Sequence, residues 1–229
     1  MIEFHPIGSG LTALPPLSLY VHLPWCVQKC PYCDFNSHQS SREGLPEEAY
    51  IRALLQDLEH ELPHIWGRSV ETIFIGGGTP SLFQAVSIDK LLAGIRARVR
   101  LLPNAEITME ANPGTFERER FAGFAAVGVN RLSLGVQSFQ PEHLQALGRI
   151  HDDKQAITAI EAACKLFPRF NVDLMYALPK QSIEQAVRDV QTAIDLGAPH
   201  ISAYQLTLEP NTAFGHTPPK NLPDDDALI

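Results

Sequence analysis

The chain has 229 residues, 45% of them hydrophobic and 19% charged, with a formal net charge of −8. At that length an ordinary globular composition carries a substantial core without staples, and an acidic chain with no Lys/Arg cluster is a poor electrostatic partner for nucleic acid. No apolar run reaches the ~20 residues of a membrane helix, and the first residues, with Glu3 and no basic or continuous apolar stretch, do not read as a secretion signal, so the cytosol is the expected compartment.

In chain order, residues 1–16 read as an N-terminal extension. A first strand is expected over 18–23, running into a loop that holds Cys26, Cys30 and Cys33. A helix is expected over 46–62, where Ala49, Ala53, Leu54 and Leu58 recur at three or four residues. A strand over 72–75 leads directly into Gly76-Gly77-Gly78-Thr79-Pro80. Helix 87–101, strand 106–110, helix 116–127, strand 131–136, helix 153–166, strand 171–176, helix 183–196 and strand 201–206 complete the series. Gly128 and Gly197 stand where two of these helices should stop. Several strands are nearly continuous in apolar residues, the mark of strands covered on both faces. The alternation predicts a parallel α/β sheet, and six β/α units suit a partial (β/α)6 barrel of the TIM type better than a complete eight-stranded one. A doubly wound sheet fits the same pattern. Residues 17–215 would form this core domain, and 216–229, with Pro218, Pro219, Pro223 and an acidic run from Asp224 to Asp226, read as a linker toward an absent C-terminal domain.

Three cysteines within eight residues, with Cys164 alone in an apolar helical stretch, are no disulfide framework; such a cluster points to metal. They follow the first strand, and parallel α/β folds bind ligands in the loops beyond the strands' carboxyl ends. Thiolates are the usual Fe–S ligands, and three of them leave one iron of a four-iron cube open, as catalytic metal sites are. The same cysteines with His22 or His38 would also make a zinc site, and three buried free thiols is the plain structural case. Glycines 76–78 let the backbone approach a ligand and offer N–H groups to an anion, although a strand-end turn uses the same residues. Glu110 closing the third strand, Gln137 just after the fourth and Asp173 within the fifth are polar groups whose burial costs energy unless they are paired or used. Arg149 is suited to meet a carboxylate.

The C-x3-C-x2-C spacing, with Tyr32 before the third cysteine, resembles the motif of the radical SAM superfamily. That resemblance implies a [4Fe–4S] cluster on Cys26, Cys30 and Cys33 whose open iron chelates S-adenosylmethionine, reductive cleavage of which yields a 5′-deoxyadenosyl radical. An electron donor such as a flavodoxin-type reductant is implied with it. Six separated stretches, 20–35, 76–80, 109–115, 130–139, 143–151 and 172–181, together resemble the HemN/HemW family of coproporphyrinogen dehydrogenases and haem chaperones. By that resemblance Tyr20, Tyr32, Gly77, Gly78, Thr79, Glu110, Gln137, Arg149 and Asp173 match positions that contact S-adenosylmethionine, some of them a second molecule of it; Tyr204 and Gln205 are further candidates. The oxidases carry another cysteine two residues after the third, where this chain has Phe35, and the segment before the first strand is short. Both features resemble the haem chaperone branch, which implies a protein that binds haem and passes it to a haem-accepting partner. Two alternatives stand beside it: radical decarboxylation of the propionates of a porphyrinogen, coproporphyrinogen III, and a structural zinc protein. Ala177 replaces a glycine common in the branch, and the haem-associated His-Asn-x-x-Tyr-Trp stretch of the family is absent from this sequence.

Overall fold

The computed structural model describes residues 14–40 and 44–224. The expected extension, up to residue 13, and the last five residues of the expected linker lie outside the described residues. In chain order the elements are β1 (Leu17–Leu23), β2 (Trp25–Cys26), β3 (His38–Gln39), α1 (Glu47–Ile65), β4 (Ser69–Gly77), a 3-10 turn (Pro80–Leu82), α2 (Ala85–Arg98), β5 (Arg100–Ala111), α3 (Thr115–Ala126), β6 (Arg131–Gln137), α4 (Pro141–Ala146), α5 (Asp153–Leu166), β7 (Arg169–Tyr176), α6 (Ile183–Asp195), β8 (Ile201–Gln205) and α7 (Ala213–His216).

Six strands form one parallel sheet in the order β1-β4-β5-β6-β7-β8, and β2 pairs with β3 separately. Each strand therefore docks beside the one made before it. A doubly wound sheet reverses direction at a switch point, and no reversal occurs here. The sheet curls into a half-barrel, the partial (β/α)6 arrangement expected from the sequence.

The expectation of strands covered on both faces holds in the middle of the sheet, where Thr108, Ser133 and Asn171 on one face are buried like Leu132 and Val172 on the other. The two faces differ in chemistry. On the convex face Ile73, Ile75, Met109, Leu132, Leu134 and Val172 are almost fully buried, in one apolar cluster with Ile88, Leu91 and Leu92 of α2, Phe121 and Phe124 of α3, and Ala156 and Ile160 of α5. The concave face is polar. Thr72 donates to Ser18 Oγ (2.8 Å), Arg131 and Arg169 pair with Glu106 (3.6 and 3.2 Å), and Ser133 donates to Asp173 (2.9 Å). Asn171 donates to both Ser133 (3.0 Å) and Asp173 (2.6 Å). A polar group carried into a barrel interior is costly unless bonded, and here neighbouring strands supply the partners.

Helix ends follow local chemistry. Asp152 and Ser182 cap α5 and α6 in reciprocal boxes with Gln155 and Gln185, and α3 and α6 stop at Gly128 and Gly197 as the sequence implies. The helix expected over 87–101 ends early, because Arg100 and Leu101 pair with Ser69 and Val70 as the start of β5. Pro103 hides that half of the strand from a pattern reading, and the ladder slips register between Val70 and Thr72. After β8 the chain recrosses the open end of the barrel. Phe214 N–H donates to the Pro31 carbonyl (2.9 Å) and Lys180 N–H to the Asn221 carbonyl (2.7 Å), while Leu222 packs with Leu147, Met175, Leu178 and Leu206.

Candidate cluster site and its cleft

The three-cysteine loop leaves β1 and is closed by the β2–β3 pair, in which Trp25 and Cys26 face His38 and Gln39. His38 N–H donates to the Pro24 carbonyl (2.7 Å), Ser40 N–H to the Cys26 carbonyl (2.8 Å), and Cys33 N–H to the Cys30 carbonyl (3.1 Å). Lys29 clamps the far side by donating to the Phe35 and Ser37 carbonyls (2.9 and 3.2 Å). Trp25 anchors the root of the loop between Tyr50 and Phe83, at ring-centroid distances of 4.7 and 5.8 Å.

The glycine run at the end of β4 seats against that root. Gly78 N–H donates to the Leu23 carbonyl (2.8 Å) and Thr79 N–H to the Trp25 carbonyl (2.7 Å). A Cβ on Gly78 would stand 2.6 Å from the Trp25 carbonyl oxygen, and Gly77, at φ +120°, would bring one within 2.8 Å of the His22 ring. Only glycine permits both the turn and the close approach. Gly77 N–H then donates to Glu110 Oε2 (3.1 Å).

Beyond the carboxyl ends of the strands lies a cleft of about 310 Å³. Cys26, Cys30, Cys33, Tyr32, Gly77, Gly78, Thr79, Glu110, Gln137, Arg149 and Asp173 all line it, as do Tyr204 and Gln205. Tyr20 is the exception. It is 57% exposed, its ring stacked 6.2 Å from Phe74 and its hydroxyl 2.9 Å from His22 Nδ1, outside the cleft wall. Gln137 ends β6 rather than following it, at φ +68°. Two residues that the sequence reading left without a role belong to the site. Asn112 donates to Thr79 Oγ1 (3.1 Å) and accepts from Arg149 (2.7 Å), and the buried Ser37 has its hydroxyl 4.0 Å from Cys33 Sγ. Asn112 lies two residues beyond Glu110, inside the 109–115 stretch that carries the family resemblance.

Burial sets the electrostatics. It pushes the Cys26 thiol up, opposed by hydrogen bonds from Ser37 and Thr79 and reinforced by Cys33 and Cys30. Burial also raises Glu110 to about 7, with the Gly77 N–H pulling down and Asp173 pushing up. Asp173 is raised for the same first reason, despite the bonds from Ser133 and Asn171. Burial works against the charge of Arg149, but Tyr32 and Cys30 beside it hold its pKa up. His151, whose Nε2 lies 3.0 Å from the Val136 carbonyl, is pushed down to about 4 by burial and then by Arg149. The cleft thus offers two protonatable carboxyls, a fixed guanidinium and a glycine edge to one ligand.

Among the described residues no three His, Cys, Asp or Glu side chains gather tightly enough to hold a single metal ion. Both nitrogens of His22 are engaged, with Tyr20 and with the Asn36 carbonyl (2.8 Å), and His38 is exposed. As arranged here, neither imidazole stands as a fourth ligand beside the thiols. Three thiols around one cavity suit a cluster instead, in which each sulfur binds its own iron.

A parallel half-barrel whose first strand empties into a three-thiol loop, with a glycine edge and two carboxyls behind it, defines a class of α/β protein with a ligand cleft at its strand ends. The family model of the radical SAM superfamily matches residues 20–193, and this chain belongs to that superfamily. The family implies a [4Fe–4S] cluster and S-adenosylmethionine. Over 219 residues the chain is 57% identical to the heme chaperone HemW of Escherichia coli (strain K12), covering 95% of this chain and 57% of that protein. It is 55% identical to the HemW of Haemophilus influenzae over 220 residues, 94% of this chain and 57% of that protein. It therefore spans somewhat over half the length of these curated relatives. Among solved structures, coproporphyrinogen III oxidase (HemN) from Escherichia coli, a radical SAM enzyme, superposes with a TM-score of 0.82 at 30% identity, over 93% of this chain and 49% of that one. The radical S-adenosylmethionine methyltransferase TsrM from Kitasatospora setae shares the fold at a TM-score of 0.61 and 16% identity, over 87% of this chain and 38% of that one. No helix among the described residues is long and apolar enough to cross a membrane.

Proposed function

We propose that residues 17–215 are the cofactor-binding core of a haem chaperone, in which Cys26, Cys30 and Cys33 hold a [4Fe–4S] cluster and the adjoining cleft takes S-adenosylmethionine. The observation that carries this reading is the convergence of the three thiols with Gly77, Gly78, Thr79 and Glu110 on one cleft, in a chain 57% identical to a haem chaperone. When bound and reduced, the cluster supplies one electron to the sulfonium of S-adenosylmethionine. The chain's own part is to place that ligand. The Gly77–Gly78 edge would give a side-chain-free wall, and Glu110, already held by Gly77 N–H, would meet the ligand's ammonium as a carboxylate, its proton released to solvent. Asp173 and Gln137 face the same volume from β7 and β6.

Phe35, where the oxidase branch has cysteine, is 56% exposed and lines the cleft. It sets an apolar ring at the cleft wall, where haem or another flat macrocycle would arrive. The working compartment is the cytosol, and the partners are haem, a haem-accepting protein and a flavodoxin-type electron donor.

Anaerobic reconstitution tests the reading through the iron, sulfide and haem bound per chain. A brown protein with four irons and four sulfides per chain, roughly the stoichiometry of such a cluster, is expected to bind haem and to leave coproporphyrinogen III unchanged in the presence of reductant and S-adenosylmethionine. Conversion to protoporphyrinogen IX would replace the chaperone reading with the oxidase, and a colourless zinc-loaded sample would remove the cluster. Cys30→Ser should abolish cluster assembly while leaving the far-ultraviolet spectrum of the fold unchanged.

A further inference from the structure

Each of the three thiols has a hydrogen-bond donor beside it, and only one of those donors is charged. Ser37 and Thr79 serve Cys26, Ser37 also stands near Cys33, and Arg149 Nη1 lies 3.5 Å from Cys30 Sγ. Contact with a thiol is ordinary for an exposed arginine. Here the guanidinium is built into place.

Two local structures aim it. Helix α4 ends in a Schellman turn, with Gly148 N–H donating to the Gln145 carbonyl (3.0 Å) and Arg149 N–H to the Leu144 carbonyl (2.9 Å). Gly148 has φ +67°, and a Cβ there would lie 3.1 Å from Pro31 Cδ, so the turn seats on the cysteine loop itself, next to Cys30. On the other side, the β6–β7 ladder slips register between Gly135 and Gln137. The Gly135 carbonyl accepts from Arg149 Nη2 at 2.7 Å, and Asn112 Oδ1 accepts from the same nitrogen at 2.7 Å. A Cβ on Gly135 would lie 3.0 Å from the Gln137 amide and in ordinary contact, 3.5 Å, with Arg149 Nη2 and Asn112 Oδ1.

Both Nη2 protons are thereby committed to protein acceptors. Nη1 points at Cys30 Sγ, with the Tyr32 side chain also in hydrogen-bond reach of the guanidinium, and Nε is left without a protein partner. We infer that Arg149 is a positioning residue of the cluster, donating an N–H···S hydrogen bond to the Cys30 thiolate and raising the reduction potential of the cluster, beside any contact it makes with S-adenosylmethionine. The inference rests on the cluster assignment proposed above. One-electron reduction adds negative charge to the cluster, and a hydrogen bond from a cation to a ligand sulfur stabilises that form more than the oxidised one.

The experiment is an anaerobic redox titration without S-adenosylmethionine, following the EPR signal of the reduced cluster in wild type, Arg149→Met, Arg149→Lys and Asn112→Ala. Arg149→Met is expected to shift the midpoint to more negative potential, Arg149→Lys to recover part of the shift, and Asn112→Ala, which keeps the guanidinium but removes its anchor, to shift it the same way by less. Should Arg149→Met not retain iron, the other two variants decide the question. A wild-type midpoint in all cluster-loaded variants, with loss only of S-adenosylmethionine affinity, would overturn the inference and make Arg149 a cofactor clamp. A wild-type chain that assembles no cluster overturns the proposed function first and this inference with it.

Discussion

Leu132 and Ser133 are neighbours on β6, yet they belong to different molecules in a physical sense. Leu132 points into the apolar layer under the helices and is fully buried; Ser133 points into the half-barrel and bonds Asp173 and Asn171. The convex face carries the stability of the fold. The concave face and its upper rim carry charges and amides that an apolar filling would replace at no cost to folding. Their presence there reflects what the open barrel must hold, because a buried polar network seldom outperforms hydrophobic packing on stability alone.

Perturbing the two faces should therefore give opposite signatures. Leu132→Ala is expected to cost about 2–5 kcal/mol in urea unfolding through lost burial and the cavity left behind, with cluster content per folded molecule unchanged; equal loss of iron and stability would erase the distinction. The next effect is pH-dependent. Glu110 titrates at about 7 in the folded chain against an ordinary value of 4.5, so the native state holds its proton more tightly than the unfolded one. Stability should fall as pH rises from the ordinary value to the folded one, by up to about 3 kcal/mol, and stay lowered above it. Glu110→Gln should flatten that slope and leave the apo protein more stable at pH 8, measured by denaturant titration at each pH. Ser133→Ala should cost about 1–3 kcal/mol by leaving Asp173 and Asn171 short of a partner; a value near zero would mean that water substitutes freely. Cys164→Ala is the smallest. This exposed thiol donates weakly to the Leu196 carbonyl (3.7 Å), so the change should stay within about 0.5 kcal/mol with no iron lost.

Much of this was legible in the sequence, for identifiable reasons. The six strands announced themselves because β-branched and aliphatic runs were spaced by helical periods, and the cysteine loop because three thiols so close have few uses. The polar concave face was only partly legible, because Leu, Val and Ile on alternate positions made several strands read as nearly continuous apolar runs, with Glu110 and Asp173 standing out as polar exceptions. The β2–β3 pair has two residues a strand, too few for any period, and α4 is six residues long. Ser37 and Asn112 acquire their roles only when loops distant in sequence meet. Tyr20 shows the converse. Its place in a matching motif put it with the site, but period-two alternation fixes only the face on which a side chain stands, and its depth depends on neighbours such as Phe74.

Strand order that follows chain order has a consequence for biosynthesis. Every new β/α unit finds its docking edge already formed, so the barrel can grow as it is made. Yet the thiol loop comes out with the first strand, and 119 residues separate Cys30 from Arg149. At ~5–20 residues per second, the sulfurs wait on the order of ten seconds for the last walls of their enclosure. During that interval they stand open to oxygen and to adventitious metals, and the nascent chain is at its most vulnerable where the finished protein is most reactive.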